Sequence, residues 1–501
     1  MLRDGLRCTI SAVDPAYGSP MLEAQAHNRL KSLLQQESCR WQHHLTLSRL
    51  VGRSLRRRDR TLIHLAPCSE ERWWLGLLVP LCLGPLDAVL VLNQRQRDRL
   101  LTVELPRLRD LGFRLPCWEG DKPPVGDTLW LLDPAGLIDA HRNERLGNRQ
   151  LLLPQVDQLT RRLRSSMGIQ INTMDWERLR RAHPEADLAL MQWHDRMTRR
   201  LFGQAARVDD KVRVDGADPQ ALRDLLGVIG PIPDPWQAFL RTDPAAWASW
   251  AELDHRLLQW TWHLAPLEPL DQLPGLLSER PVLMLSNIGE SSNLEAELET
   301  AGFDQDVRAC LREPDLQEPL PVYAPRRQPS PNTEIYADHL LEQCRRLILG
   351  RPGLTVLLLD DRGLRRRLTS ELAGEFGSRV VEESTAPEVN GVISARWDWW
   401  LQHQEHLPLP DQLIIALLPI ASLECPLTAA RVEQLKQQGR DWFRTLLLPE
   451  ALSRLPAAVA PVRRNNGRLA ILDGRVRSRG WGEQVLRQLE PWTSLQRLLP
   501  D

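Results

Sequence analysis

Residues of the types that hold phosphate lie in one short turn, HLAPCSEERWWLG, at residues 64–76. The turn follows an apolar run and precedes a longer one, which is where many nucleotide-hydrolysing enzymes place a glycine-rich loop between a strand and a helix. Ser69 offers a hydroxyl and Arg72 a guanidinium, groups that suit magnesium and phosphate. Their neighbours Glu70 and Glu71 oppose this chemistry, because a carboxylate repels bound phosphate. The stretch therefore indicates an altered nucleotide site, a different site or none.

A second set of residues suits single-stranded nucleic acid, which proteins bind with aromatic side chains and cations. The chain has 18 tryptophans against 6 phenylalanines and 3 tyrosines. Trp397 and Trp399 in RWDWW are candidate stacking residues, with core packing as the more frequent role of tryptophan. Arg56, Arg57 and Arg58, just before the first apolar run, are candidate phosphate contacts, with a solvated helix face as the alternative. Three other basic clusters are weaker candidates: TRRLRSS (160–166), RMTRRLF (196–202) and RGLRRRL (362–368).

The composition is that of an ordinary globular protein with several domains. A length of 501 residues exceeds what one hydrophobic core supports and predicts about two to four domains. Hydrophobic residues make up 42% and charged residues 26%, so we expect most of the chain to fold. Only four of the 64 basic residues are lysine, yet acids balance them to a formal charge of −1. The arginine excess is typical of nucleic-acid contact or simply of base composition in the gene, and charge alone does not decide between them.

Cysteine usage and hydropathy set the expected compartment. The eight cysteines form no CxxC pair and have no histidine at zinc-finger spacing, which fits a reducing environment, and we expect a cytoplasmic protein. The start of the chain lacks the apolar core of a secretory signal. The one apolar stretch near membrane length, residues 75–92, contains Pro80, Gly84, Pro85 and Asp87, so no membrane segment is expected.

Short apolar runs predict two sets of parallel strands buried on both faces. The first set comprises residues 61–65, 88–92, 128–132, 150–153 and 281–285, and the second 354–359, 378–381, 412–418 and 468–472. Leu364, Leu368, Leu372 and Phe376 are spaced four apart and predict a helix after the first strand of the second set. Two α/β domains follow from this order.

Between about residues 160 and 275 the strand signal disappears. Residues 175–202 and 245–264 are predicted to be helical, with a break at GVIGPIPDP, residues 227–235. A helical insertion therefore interrupts the first α/β domain.

The order of these elements and several stretches resemble the DinG/XPD-like branch of superfamily 2 DNA helicases. Residues 410–455, PDQLIIALLPIASLECPLTAARVEQLKQQGRDWFRTLLLPEALSRL, are similar to the family's strand with a leucine-proline end, its P-L-x-x-A-R helix and its L-P-x-A-x-x-R-L segment. Residues 466–476, NGRLAILDGRV, resemble the closing strand with its D-x-R end. Residues 320–343 resemble the linker into the second lobe, and residues 262–287 resemble the return from the insertion. The resemblance is most specific in the C-terminal part.

The resemblance implies an α/β fold with two RecA-like parallel-sheet lobes, the P-loop NTPase/helicase fold, and a helical insertion in the first lobe. Its domain ranges are 1–165 plus 276–320 for the first lobe and 166–275 for an arch-like insertion. The second lobe, the helicase C-terminal domain, takes residues 321–501.

The resemblance also places the family's ATP motifs on numbered positions. Setting its A-P-T-G-x-G-K-T loop on Ala66 and Pro67 puts Ser69 and Glu71 at glycines and Arg72 at the lysine, with Trp73 at the threonine. The backbone cradle, the lysine and the magnesium-binding hydroxyl would all be altered. We interpret Ser69 and Arg72 as residues of a vestigial nucleotide loop.

Two further ATP motifs are altered in the same alignment. The D-E-A-H acids correspond to residues 154–157, so that Pro154 begins the motif and Asp157 ends it; we interpret Asp157 as a solvated aspartate at a helix start. The Q-x-x-G-R-x-x-R motif places Pro461 at its first arginine and Arg464 at its last. The S-A-T strand end becomes residues 285–287, Leu-Ser-Asn. No residue is assigned a catalytic role.

The expected cofactors follow from these losses. The family's iron-sulphur site needs four clustered cysteines, whereas only Cys82 and Cys117 lie between the two nucleotide motifs, with Cys68 in the loop itself. No cluster and no resident cofactor are expected, and ATP with magnesium enters only if the chain is an active enzyme.

Three functions remain open. The first is a nucleic-acid-binding pseudo-helicase without ATP hydrolysis, with single-stranded nucleic acid, DNA favoured, as its partner. The second is a divergent but active ATP-dependent DNA helicase in which Arg72 replaces the lysine. The third is a scaffold that binds a protein partner.

Overall fold

The structure, a computed structural model, describes residues 21–35, 41–66, 71–204, 210–214, 216–287, 292–311 and 318–495. The predicted nucleotide-loop residue Ser69 lies outside the described residues. In the described part of the chain, the strands are β1 (Thr61–Leu65), β2 (Ala88–Val91), β3 (Cys117–Glu119), β4 (Leu129–Leu132), β5 (Gln150–Pro154), β6 (Ile169–Ile171), β7 (Lys211–Arg213), β8 (Trp247–Asp254), β9 (Gln259–Pro266), β10 (Val282–Ser286), β11 (Val307–Leu311), β12 (Leu320–Tyr323), β13 (Thr355–Leu358), β14 (Val380–Glu382), β15 (Val392–Ala395), β16 (Gln412–Ile415), β17 (Arg468–Ile471) and β18 (Trp492–Ser494).

Helices connect these strands within the described residues. They are α1 (Leu22–Leu34), α2 (His44–Arg57), α3 (Trp73–Leu83), α4 (Gln94–Arg99), α5 (Leu105–Asp110), α6 (Pro134–Arg142), α7 (Leu159–Met167), α8 (Thr173–Ala182), α9 (Asp187–Phe202), α10 (Ala217–Val228), α11 (Trp236–Leu240), α12 (Ser292–Thr300), α13 (Tyr336–Leu349), α14 (Arg362–Phe376), α15 (Trp397–His403), α16 (Pro426–Gln437), α17 (Leu448–Arg464), α18 (Arg475–Ser478) and α19 (Gly482–Arg487). Two π-helical turns, Leu100–Glu104 and Phe443–Leu447, precede α5 and α17. Short 3-10 helices occur at Val156–Gln158, Pro184–Ala186, Pro269–Gln272, Gly377–Arg379 and Gln404–His406.

The chain divides into two compact units. The first consists of Met1–Thr198, Val214–Ala251 and Gln259–Arg312, and the second of Arg199–Arg213, Glu252–Leu258 and Glu313–Asp501.

The first unit is built on a seven-stranded parallel sheet in the order β11-β1-β10-β5-β2-β4-β3. Its central strands β1, β10, β5, β2 and β4 are mostly apolar and buried along their length because helices cover both faces. β10 lies between β1 and β5, and the register pairs His64 with Ser286 and Leu285 with Pro154. The carboxyl ends of these three strands therefore meet at one edge, where open α/β sheets bind ligands.

The insertion contains a four-stranded sheet in the order β6-β9-β8-β7, in addition to helices. The helices predicted at residues 175–202 are present as α8 and α9, but the helix predicted at 245–264 is wrong, because those residues form β8, a turn and β9. The apolar residues of β9 alternate: Trp260, Trp262 and Leu264 are buried and the residues between them are half-buried. This period of two, with the high strand propensity of tryptophan and threonine, favours a strand.

The second unit carries another seven-stranded parallel sheet, in the order β14-β15-β13-β16-β17-β12-β18. After β13 the chain builds β14 and β15 on one side and then returns to place β16 on the other side. Such a reversal of strand order opens a crevice at the carboxyl ends of the two strands that flank it.

Two parallel-sheet α/β lobes with an insertion in the first are therefore present, as the sequence predicts. Each predicted apolar run contains a strand, and the predicted helix after β13 is α14. The short strands β3, β14 and β18 lie at sheet edges, and of these only β14 was predicted.

Candidate functional site

Glu71, which the alignment places at a glycine of the phosphate loop, is a buried carboxylate surrounded by hydrogen-bond donors. Its Oε2 accepts from Arg99 Nη1 at 3.0 Å and from Trp74 Nε1 at 3.4 Å. Its Oε1 accepts from Gln155 Nε2 at 3.2 Å and from Gln96 Nε2 at 3.4 Å. We call these five residues the Glu71 network. It joins the start of α3, α4 and the residue that follows β5 at the carboxyl edge of the first sheet.

The backbone of Glu71 keeps a conformation that suits glycine. Its φ is 39°, in the left-handed region that side chains rarely adopt. The side chain is only 7% exposed. A charged residue is therefore held in a strained and buried position, which is tolerated because the carboxylate has four donors.

The side of the network nearest α3 is packed and charge-balanced. Trp73 and Trp74 stack with ring centroids 4.1 Å apart, and both are buried. Arg99 Nε donates to Glu104 Oε1 at 3.0 Å, while its guanidinium lies 5.9 Å from the Trp74 ring centroid. Arg99 thus links two buried carboxylates through its Nε and Nη1 atoms.

The other side of the network rests on Gln155, which also has a positive φ of 62°. Gln155 Oε1 accepts from Arg162 Nη2 at 2.5 Å, and Arg162 donates again to Gln158 Oε1 at 2.9 Å. Burial lowers the pKa of Arg162 to about 10, although Asp157 and Glu71 favour its charged form. The cation is therefore oriented by glutamine oxygens.

Asp157 connects β5 to the end of β10. Its Oδ1 accepts from the backbone N–H of Asn287 at 2.9 Å. Desolvation of this half-buried carboxyl raises its pKa above the usual range, opposed by that N–H and by Arg162. Asp157 thus has a specific backbone partner, which differs from the predicted solvated aspartate.

The second unit joins its sequence motifs through two ion pairs. Arg431 of the P-L-x-x-A-R helix contacts Glu450 of the L-P-x-A segment, with Nη1 and Oε1 2.7 Å apart. Asp473, fully buried after β17, pairs with Arg475 at 2.6 Å and accepts from the Leu418 N–H at 3.0 Å. The D-x-R end therefore fixes the loops that follow β16 and β17.

Comparison with curated proteins finds relatives among DNA helicases. The chain is 24% identical to the ATP-dependent DNA helicase YoaA of Escherichia coli over 259 residues, which cover 48% of this chain and 40% of that protein. The Haemophilus influenzae YoaA is 24% identical over 265 residues, covering 50% of this chain and 41% of that protein. The 3'-5' exonuclease DinG of Bacillus subtilis is 33% identical over 89 residues, which are 17% of this chain and 10% of that protein. The matches to the two YoaA proteins thus span about two fifths of their length, and no protein-family model matches the sequence.

The chain thus resembles DNA helicases of the YoaA and DinG type in part of its sequence.

Solved XPD structures share the fold over most of the chain. S. tokodaii Xpd4 superposes with a TM-score of 0.62 at 11% identity, over 91% of this chain and 100% of that chain. An XPD helicase structure gives 0.60 at 10% identity, over 92% of this chain and 100% of that chain.

The structure places the family's first-lobe ATP positions around the Glu71 network. Arg72, at the lysine position, is half-buried immediately before α3. Trp73, at the threonine position, is buried in the core and therefore presents no ligand to a metal. Pro154, at the first acid, ends β5 and offers no side-chain oxygen. At these two aligned positions the side chains of Trp73 and Pro154 therefore offer magnesium no oxygen ligand.

In the second lobe, Pro461 and Arg464 lie at the end of α17. Pro461 is buried and carries no charge, whereas Arg464 is exposed. Only one of the two arginine positions of this motif therefore has a cation.

The candidate nucleic-acid residues occupy unequal positions. Trp397 is fully buried and donates to the Leu417 carbonyl, so it is a core residue without a face for a base. Trp399 is half-buried and stacks on His403 at 4.6 Å. The sequence could not separate these two tryptophans because they share one short helix.

The basic candidates lie away from the carboxyl edge. Arg56 and Arg57 end α2 and Arg58 follows, before the amino end of β1. Arg56 pairs with Glu23 at 2.8 Å, and Arg58 pairs with Asp87 at 3.3 Å. Arg56 and Arg58 therefore form ion pairs at the opposite end of the strand, and their contact with phosphate stays a prediction.

Cys82 and Cys117 are half-buried thiols in the first lobe. Burial raises the pKa of each to about 12, with a smaller contribution in the same direction from Cys117 on Cys82 and from Glu119 on Cys117. Burial thus favours the protonated thiol over the thiolate at both positions. In the part of the chain that the structure describes, no helix is long and apolar enough to cross a membrane.

Sequence reasoning missed Gln96, Arg99 and the pairing of Arg162 with Gln155. Gln96 carries a local signal, since Asn93 and Gln96 form a capping box at the start of α4. That pattern predicts a helix start but not a contact with Glu71, which is distant in sequence. Arg162 was one of a basic cluster considered for phosphate contact.

Proposed function

We propose that this chain is a nucleic-acid-binding pseudo-helicase: it uses the helicase fold to bind single-stranded nucleic acid, DNA favoured, and does not hydrolyse ATP. The observation that carries the proposal is the Glu71 network, in which a carboxylate stands where the family's phosphate loop has a glycine. The proposal concerns this chain, which matches about two fifths of its longer relatives.

The network supports loss of nucleotide binding because it consumes the donors that a phosphate needs. Arg99 and Gln155 donate to Glu71 at 3.0 and 3.2 Å. A phosphate at this place would face the carboxylate directly, and like charges at about 4 Å repel by about 4 kcal/mol near a protein surface. Moving Glu71 away would leave Arg99 with less counter-charge, which adds to the cost.

The acidic-motif positions support loss of hydrolysis. Phosphoryl transfer needs a metal held by oxygen ligands and a residue that orients the attacking water. Pro154 has no functional group, and the Gln155 amide is held between Glu71 and Arg162. Asp157 is engaged with the Asn287 N–H.

Retention of the fold supports nucleic-acid binding. Both YoaA relatives are named as DNA helicases, and paired lobes of this type bind single strands through phosphates and stacked bases. The second lobe keeps its motif contacts, Arg431 with Glu450 and Asp473 with Arg475. A chain that had lost every use for the fold would have no need of these pairs.

The test is a pair of titrations on the full chain, one with a labelled oligothymidylate and one with a fluorescent ATP analogue plus magnesium. We expect binding of the strand that weakens with salt, no saturable nucleotide binding and no strand-stimulated ATP hydrolysis. Hydrolysis that is lost in Arg72→Ala would instead establish the divergent active helicase. A chain that binds neither ligand would favour the protein-binding scaffold.

A restoration variant sharpens the test. Glu71→Gly combined with Arg72→Lys removes the carboxylate and supplies the family's lysine. We expect this variant to bind the nucleotide analogue but still not hydrolyse ATP, because Pro154 and Gln155 remain. Glu119→Gln, which removes an exposed acid paired with Arg97 elsewhere in the first lobe, is the matched control and should leave nucleotide binding absent.

A further inference from the structure

Three aromatic side chains of the second lobe form a continuous, half-buried surface. The Trp442 and Phe443 ring centroids lie 6.1 Å apart, edge to face, and those of Phe443 and Trp481 lie 5.6 Å apart. Trp442 and Phe443 enter the π-helical turn before α17, whereas Trp481 follows α18. Two segments distant in sequence therefore supply one aromatic surface.

The inner sides of these rings are fixed by packing. Trp442 and Phe443 pack against a small core of Val432, Leu446 and Leu447. Trp481 packs against the main core of the second lobe. Asp441 caps the turn, with its Oδ1 accepting from the N–H groups of Phe443 and Arg444 at 3.1 Å each. The surface is therefore preformed and would lose little side-chain entropy on binding a ligand.

Three cationic side chains lie close to Trp442 in space or in sequence. Lys436 Nζ lies 5.5 Å from the Trp442 ring centroid, which is within cation–π range. Arg440 and Arg444 are exposed on either side of Trp442 in sequence, and Arg444 has only a long contact to Asp441, at 3.7 Å. Residues 436–444 carry three cations against one acid. We call Lys436, Arg440, Arg444 and the three aromatic residues the Trp442 surface.

The Trp442 surface lies near the carboxyl edge of the second sheet. Ile420 and Ala421, in the loop that follows β16, pack against the same small core as Trp442. Trp481 follows β17 through the loop that holds Asp473. β16 flanks the reversal of strand order next to β13, the position where open α/β sheets bind ligands.

We propose that the Trp442 surface is a stacking subsite for the bases of a single-stranded nucleic acid, with Lys436, Arg440 and Arg444 holding its phosphates. The proposal rests on the proposed function and names the place where the strand binds. Flat aromatic faces interspersed with cations suit a ligand that alternates bases and phosphates. An acidic peptide would use the cations but has no bases to stack on the rings.

The test compares two strands of equal length and charge on the full chain, oligothymidylate and an abasic strand that keeps the phosphates. We expect the wild type to bind oligothymidylate more tightly. Trp442→Ala and Trp481→Ala should each weaken oligothymidylate binding by about 5- to 150-fold and reduce the preference over the abasic strand, because stacking contributes about that much per base. Trp442→Phe should retain most of the preference.

Charge variants separate stacking from phosphate contact. Arg444→Gln should lower the slope of log Kd against log salt by about 0.7 while leaving the preference for bases unchanged. Trp118→Ala, at a 46%-exposed tryptophan of the first lobe, is the matched aromatic control and should change neither quantity. Circular dichroism spectra equal to those of the wild type verify that the variants are folded.

The outcomes distinguish this proposal from the proposed function. If the wild type binds oligothymidylate and both alanine variants bind it equally well, the subsite is overturned and the proposed function stands. The subsite is also overturned if the wild type binds the abasic strand as tightly as oligothymidylate, or if polyglutamate of matched charge competes fully with oligothymidylate. Either result would show that the surface binds charge alone. A wild type that binds no strand overturns both.

Discussion

At the scale of single residues, the buried carboxylate of Glu71 is the central feature of the candidate site. The backbone at this position has a positive φ, a conformation that glycine adopts more readily than glutamate. The carboxylate then accepts from Arg99, Trp74, Gln96 and Gln155. Because a buried carboxylate is costly without partners, these contacts are interdependent.

This interdependence predicts a local loss of stability in Glu71→Gln. The substitution removes the charge that Arg99 pairs with and places an amide N–H₂ among donors. We expect the local free energy of opening around α3 and α4 to fall by about 1–3 kcal/mol, the usual cost of an unsatisfied buried polar group. Hydrogen exchange of peptides covering residues 73–99 measures it.

Glu119→Gln is the control for this measurement. It breaks an ion pair with Arg97, at 2.5 Å, on the exposed side of the same region, and should cost only about 0–1 kcal/mol. Equal exchange in the two variants would mean that the Glu71 network adds nothing to stability beyond a surface contact.

The thiols of Cys82 and Cys117 allow a second prediction for individual residues. Their pKa values of about 12 lie above the ordinary 9.0, so at pH 8.5 the native protein holds about a thousandfold less thiolate at each site than the unfolded chain. Since the thiolate is the nucleophile, we expect iodoacetamide to label both slowly in the native protein and rapidly in urea. The native rate should rise with pH up to about 12.

Mass spectrometry of the labelled peptides measures both sites separately. Rapid labelling of either cysteine in the native protein at pH 8.5 would show a stabilised thiolate and would reopen the question of a metal at that place.

At the scale of elements, the sequence predicts continuously apolar strands well and strands with alternating burial poorly. The runs at β1, β5, β10 and β16 are continuously apolar because helices cover both faces of a parallel sheet. The insertion hairpin has one aromatic face and one mixed face. Its apolar residues fall at spacings of two, three and four, which fit a helix as well as a strand, so periodicity alone could not decide.

The sequence also predicts part of the candidate site, namely the motif positions but not their partners. Alignment to the family's motifs located Glu71, Arg72 and Pro154 near one sheet edge, because each follows or ends a predicted strand. The partners Gln96 and Arg99 come from a helix that no motif marks, and tertiary packing brings them to Glu71. Likewise, composition suggested tryptophan stacking, but only the fold distinguishes the buried Trp397 from the half-buried Trp442.

The turn between β8 and β9 allows a test of whether these residues form a hairpin or a helix. A glycine substitution there has opposite effects on stability in the two structures. Leu258 has a φ of 52° and is 68% exposed in the turn between β8 and β9. Leu258→Gly should therefore raise stability, by up to about 1 kcal/mol, because glycine adopts this conformation without strain. In a helix the same change would lower stability by about 1 kcal/mol.

Leu257→Gly is the matched control, since Leu257 is 65% exposed and is not among the residues with positive φ. It should be destabilising in either element. Urea unfolding followed by circular dichroism compares the two variants, and destabilisation by both would favour the helix that the sequence alone predicts.

At the scale of the whole molecule, both α/β lobes are present, and the proposed function assigns them strand binding without ATP hydrolysis. In the first lobe, Glu71 is the centre of a network of hydrogen bonds at the position that the alignment gives to a phosphate-loop glycine. In the second, the alignment places Pro461 at one arginine position, while the pairs Arg431–Glu450 and Asp473–Arg475 hold the loops of the aligned motifs. Such a molecule should respond to a strand but not to a nucleotide.

Thermal unfolding of the full chain tests in one experiment whether it responds to a strand but not to a nucleotide. A ligand that binds only the native state stabilises it by about 2.7 kcal/mol when present at about 100 times its Kd. We therefore expect oligothymidylate to raise the unfolding temperature in proportion to the logarithm of its concentration, and ATP with magnesium to leave it unchanged. Glu71→Gly with Arg72→Lys should acquire a response to ATP. If ATP with magnesium raises the unfolding temperature of the wild type as much as the strand does, or more, the native protein binds nucleotide. The Glu71 network would then not exclude phosphate.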